Sequence, residues 1–128
     1  MNRGQARGNC HKARGKQWEQ LAESFLHKRG LKTLERNFNC RMGEIDLVML
    51  DGPTVVFTEI RYRGNDAHGS GAESVTFTKQ QRIISAAQRF LQFREHHPSQ
   101  SFRFDVISIG NDEGRTLINW IRNAFATS

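Results

Sequence analysis

The chain has 128 residues, 37% of them hydrophobic, and a formal net charge of +6. That length suits one domain burying about two-thirds of its unfolded surface, a core that needs no disulfide framework. With no apolar run long enough to span a bilayer and no apolar segment behind the basic N-terminus, neither a membrane partner nor a signal peptide is expected.

Cys10 and Cys40 form no CxxC or Cys/His cluster, which argues against a zinc site and fits a reducing cytoplasm. The charge is concentrated at the start. Arg3, Arg7, Lys12, Arg14 and Lys16 lie in the first 17 residues without an acid, whereas the remaining 14 basic and 13 acidic residues nearly cancel. Residues 1–15, Gly-rich and poor in apolar side chains, read as a flexible basic arm, and residues 16–128 as the single domain. The arm, with Arg14 and Lys16 at its end, either attracts a polyanion through phosphate neutralisation or serves only as a solubilising tail.

A helix is predicted from Gly15 to Arg29, because Trp18, Leu21, Ala22, Phe25 and Leu26 form one apolar stripe. Gly30 suits its C-terminal cap. Glu19 lies at the border of the stripe and Glu23 is expected to point further outward. Leu31 to Phe38 reads as the first strand. A hairpin follows, with strands near 43–50 and 54–63 around Asp51-Gly52-Pro53. Strand alternation places Glu44, Asp46 and Val48 on one face and Ile45, Leu47 and Met49 on the other. A two-residue Gly52-Pro53 turn would set Asp46 opposite Glu59 and Glu44 opposite Arg61.

Residues 64–77 form a long polar loop in which His68 reads as a solvated side chain. A second helix is expected from Lys79 to Glu95, opened by a Thr78/Gln81 capping box and buried through Ile83, Ala87, Phe90 and Leu91. A strand from Phe102 to Ile109, a turn over Gly110 to Gly114 and a strand from Arg115 to Ile121 complete the order αβββαββ. Asp105 reads as structural, and Trp18 and Trp120 as core.

The hairpin acids demand an explanation, since like charges facing each other across strands are destabilising. Mg²⁺ would relieve the repulsion, accepting one or two carboxylates plus water and phosphate oxygens. The alternative is a solvent-facing surface on which Arg61 and Arg63 pair with Glu44, Asp46 and Glu59. Lys79 and Gln80 either meet a phosphate at the helix N-terminus or are ordinary first-turn residues.

Asp46 followed thirteen positions later by Glu59-Ile60-Arg61 resembles the bipartite PD-(D/E)xK signature of restriction-endonuclease-like nucleases, with arginine in the lysine position. From Trp18 to about Phe125, through GEIDLVML, TEIRYR, SVTFTKQQRI and FRFDVI, the chain resembles the YraN family of bacterial proteins, related to archaeal Holliday-junction resolvases. The resemblance implies a restriction-endonuclease-like core, a mixed central sheet flanked by helices. It also implies a Mg²⁺- or Mn²⁺-dependent endonuclease acting on DNA, with branched or otherwise structured DNA and a homodimer both compatible with it. Asp46 and Glu59 would hold the metal, with Glu19 as a further ligand and the Ile60 carbonyl as another. Arg61 would stabilise transition-state charge, and Arg63 would contact backbone phosphate. Because arginine stays charged at working pH and cannot act as a base, a catalytically degenerate nucleic-acid-binding module is the alternative. A protein-interaction adaptor is a third.

Overall fold

The computed structural model describes residues 5–64, 75–94 and 100–127, with side chains from residue 15 onward. The order is α1 (Gln5–Lys28), β1 (Lys32–Cys40), β2 (Gly43–Asp51), β3 (Thr54–Gly64), α2 (Phe77–Phe93), β4 (Phe102–Asp112) and β5 (Arg115–Phe125). The fold is mixed α/β, and the expected succession of elements is present. His68 and most of the 64–77 loop, Glu95 at the expected end of the second helix, and the Arg14 side chain lie outside the described residues.

The strands form one sheet in the order β1-β2-β3-β4-β5. All neighbours are antiparallel except β3 and β4, whose parallel pairing requires the crossover that α2 supplies. Alternate side chains divide between two cores. Val48, Val55, Phe57, Phe104 and Val106 pack with Ile83, Ile84, Ala87 and Phe90 of α2. Leu47, Met49, Val56, Ile107 and Ile109 pack with Ala22 and Leu26 of α1. The helices therefore cover opposite faces, and the hydrophobic effect that drives each onto the sheet follows directly from strand alternation.

Helix α1 begins at Gln5, ten residues before the expected Gly15 and inside the segment read as an arm. The Gln, Lys and Arg residues there are good helix formers, and charge patterning alone does not reveal that. Its C-terminus matches expectation: Gly30, at φ 95°, follows the last turn. The backbone N–H groups of Gly30 and Leu31 donate to the carbonyls of His27 and Leu26, which is the Schellman arrangement. Glu23 departs from expectation. It is buried, with its carboxylate accepting from Arg36 Nε at 2.9 Å and from the Thr33 hydroxyl. One step from Ala22 and one turn from Glu19, it faces β1 rather than solvent.

The Asp51-Gly52-Pro53 turn holds as expected. Asp51 pairs with Thr54 and Gly52 takes φ 58°, followed by the fixed negative φ of proline, the sign pattern of a type II′ hairpin. The expected capping box at Thr78 does not form. Thr76 is the N-cap, its hydroxyl accepting from the Lys79 N–H at 3.1 Å, and the helix starts two residues earlier than Lys79. The second hairpin is longer than expected. Strand β4 continues through Gly110 to Asp112, which pairs with Arg115, so only Glu113-Gly114 remain as the turn.

Asp105 is fully buried and structural, as its pattern suggests. It accepts from Arg103 Nε at 3.0 Å, Trp120 Nε1 at 2.9 Å and the backbone N–H of Asn123 at 2.9 Å. Asn123 has φ 52°, and the β4–β5 register shifts between Phe104 and Val106. The carboxylate thus takes up an N–H that the bulge withdraws from the ladder.

Candidate functional site

The site arises where the central hairpin comes apart. The β2–β3 ladder runs from Asp51↔Thr54 to Leu47↔Thr58 and stops there. One residue further, the Asp46 side chain replaces the backbone: its Oδ2 accepts the Ile60 N–H at 2.9 Å. Strict alternation also fails here. Leu47 packs toward α1, but Ile45, two residues away, packs into the α2-side core instead of the same face. A carboxylate inserted between strands explains both departures. It also corrects the expectation that Asp46 and Glu59, and beyond them Glu44 and Arg61, continue as directly opposed ladder pairs.

Glu59 lies on β3 with only 5% exposure. The Asp46 and Glu59 carboxyls lie close enough to perturb each other's proton equilibrium. Burial, then the charge of Glu59, pushes Asp46 up to about 7. Burial also raises Glu59, although the Lys79 ammonium and then Arg61 oppose the shift. A proton bound here near neutral pH belongs to the pair rather than to either residue.

Two cations face this pair. Lys79 Nζ, carried by the first turn of α2, is 3.4 Å from Glu59 Oε2, and Arg61 Nη1 is 3.9 Å from the same oxygen. The Thr76 cap fixes where α2 begins and hence where Lys79 projects. Its contact with a site carboxylate was not legible in sequence, because twenty residues separate it from Glu59.

Glu19 stands beside the pair. Burial, and secondarily Asp46 and Glu44, raise its carboxyl, while a hydrogen bond from Asn37 opposes the rise. Asn37 Nδ2 donates to Glu19 Oε1 at 3.2 Å, so the third expected metal ligand is engaged with β1. Among the described residues, no group of three or more His, Cys, Asp or Glu side chains is arranged to hold a metal ion. Asp46 and Glu59 nevertheless fit a hard divalent cation as a donor set: two crowded carboxylates whose shared proton the ion would replace, with other coordination positions left to water and phosphate oxygens. Gln80 is directed elsewhere, its Nε2 donating to the Val75 carbonyl at 3.0 Å. Lys16 is exposed and borders a shallow depression with Glu19 and Asn37. Arg63 is half-buried near the end of β3.

On the α1 side, Trp18 stacks on Tyr62 with ring centroids 4.2 Å apart. Trp18 and Trp120 both pack against the core beneath α1, as their apolar patterns suggest. Among the described residues, no helix is long and apolar enough to cross a membrane.

Residues 18–109 match the family described as Uncharacterised protein family UPF0102. Among curated relatives, a UPF0102 protein of Stutzerimonas stutzeri is 51% identical over 111 residues, covering 87% of this chain and 92% of its own. One from Nitrosococcus oceani is 44% identical, covering 90% and 93%, and one from Aeromonas hydrophila is 47% identical, covering 88% and 85%. The matched segment contains every element from the apolar part of α1 through most of β4, including Glu19, Asp46, Glu59, Arg61 and Lys79. The chain belongs to the UPF0102 family.

Proposed function

We propose that this protein is a divalent-metal-dependent DNA endonuclease with a restriction-endonuclease-like core, hydrolysing phosphodiester bonds in the cytoplasm. The observation that carries the proposal is the pair of half-buried Asp46 and buried Glu59, held at the point where β2 and β3 separate and faced by Lys79 and Arg61. Such a pair is costly in a sheet unless a cation resides among the acids. The αβββαββ order and the mixed sheet support the fold assignment. Mg²⁺ or Mn²⁺ bound there would supply an activated water and neutralise charge on the leaving oxygen.

The chain's own groups have separate tasks. Asp46 is oriented by the Ile60 N–H, and Asp46 and Glu59 would together hold the ion. Glu19 adds negative charge at the rim that the same ion offsets. Arg61, permanently charged, positions the phosphate and stabilises the developing negative charge, with bidentate geometry available to it. Lys79 supplies an ammonium close to Glu59, so the loss of the signature lysine at position 61 does not leave the site without one. Arginine at that position also favours a second reading, a DNA-binding module that has lost turnover.

Cleavage of labelled linear, flapped and four-way DNA with Mg²⁺ or Mn²⁺ decides between them. Metal-dependent cutting by the wild type, absent in Asp46→Asn, is the expected result. Binding without cutting under either metal would establish the second reading.

A further inference from the structure

Next to the carboxylate pair, between the β1–β2 turn and the first turns of α2, lies a polar cleft of about 430 Å³. Arg41, Lys79 and Arg82 line it, against a single lining carboxylate, Glu44. Arg41 and Arg82 are both exposed. The cleft opens onto the site through Lys79, whose Nζ also lies on Glu59.

The cleft depends on a close approach that only glycine permits. A Cβ added at Gly43 would sit 2.8 Å from the Arg82 backbone carbonyl and 3.1 Å from the Arg82 Cβ. Hydrogen at that position lets the β1–β2 turn rest on the α2 backbone. Arg41, two residues before Gly43, and Arg82 itself are thereby brought to the two walls of one groove. Neither arginine stands out in sequence: Arg41 lies in a turn and Arg82 is an outward helix position.

We propose that this cleft is a phosphate-binding track, with Arg41 and Arg82 holding the DNA backbone next to the phosphate presented to Asp46 and Glu59. The inference rests on the nucleic-acid reading above and extends it to residues outside the carboxylate site. Three cations converge on a groove with one acid, and one of the three is shared with the site. An anionic strand is the ligand that pairs with the groove's arginines and with Lys79, the cation shared with the site. A point charge on each wall positions a strand without reading its sequence.

The test is the salt dependence of binding to a labelled duplex in EDTA, measured by fluorescence anisotropy. It compares the wild type, Arg41→Gln/Arg82→Gln, the charge-conserving Arg41→Lys/Arg82→Lys, and a control, Lys32→Gln/Arg115→Gln, that removes two cations elsewhere on the sheet. Each lost phosphate contact lowers the slope of log affinity against log salt by about 0.9, so the glutamine cleft variant should lose about 1.8. The lysine variant and the control should keep the wild-type slope. An unchanged slope in the glutamine cleft variant, or an equal loss in the control, overturns the track. Absence of DNA binding by the wild type overturns both the track and the nucleic-acid reading. Failure of cleavage with the slopes as expected defeats the nuclease alone.

Discussion

Replacing Asp46 with asparagine should make the metal-free protein more stable at alkaline pH. Asp46 is raised from an ordinary value of 3.8 to about 7, so the native state holds a proton that the unfolded chain has released. Between those values the native state binds more protons, and stability therefore falls as pH rises. At about 1.4 kcal/mol per unit, a shift near three units gives an upper bound of about 4 kcal/mol lost by pH 8. Asparagine has nearly the same shape, and its oxygen can still accept the Ile60 N–H. Its amide can donate to Glu59 as the protonated carboxyl does, but it cannot ionise. Urea unfolding in EDTA from pH 5 to 8.5 should show wild-type stability declining by up to about 2.7 kcal/mol, and Asp46→Asn declining clearly less and the more stable of the two at pH 8. A wild type whose stability is constant or increases over that interval would refute the shared-proton account.

Other substitutions test the supporting structure. Asp105→Ala strands the Trp120 and Asn123 donors and leaves the Arg103 guanidinium only Asp51, and should cost about 3–5 kcal/mol in denaturant unfolding. Thr76→Ala should cost about 1 kcal/mol through the lost cap, whereas Thr78→Ala should cost much less; thermal unfolding of the two distinguishes the caps. Gly43→Ala forces a Cβ against the Arg82 carbonyl and should destabilise by about 1–3 kcal/mol. Burial pushes the Glu23 carboxyl up, but hydrogen bonds from Arg36 and Thr33 and the Arg36 charge outweigh it and hold the group below its usual value. Its contribution to stability is therefore present above the unfolded value of 4.5 and is lost as pH falls, so Glu23→Gln should flatten the acid limb of the unfolding curve.

Much of this architecture is written in local patterns. The α1 stripe, the β3–α2–β4 crossover and the Gly52-Pro53 register each follow from residues close together in the chain, where period and turn chemistry agree. The nearness of Asp46 and Glu59 was legible because they share one hairpin, although the ladder set by its turn ends at Leu47 and Thr58, one residue short of them. What escaped depends on contacts across elements. Glu23 looks outward until Arg36 and Thr33 on β1 are brought to it. Ile45 follows the alternation in sequence, but in the fold the insertion of Asp46 between strands moves it to the other core. Lys79 looks like any first-turn lysine, since its meeting with Glu59 depends on the cap beginning at Thr76. Gly43 reads as the first residue of a strand, and only the α2 backbone against it explains why no larger residue fits there.

The central claim is that a divalent cation takes the place of the proton shared by Asp46 and Glu59. Calorimetric titration with Mn²⁺ near pH 6.5, repeated in buffers of different ionisation enthalpy, measures binding and proton release together. The account predicts that Mn²⁺ binds the wild type with release of a substantial fraction of one proton, and that Asp46→Asn loses both the binding and the release. Binding without proton release, or equal binding by Asp46→Asn, would contradict it.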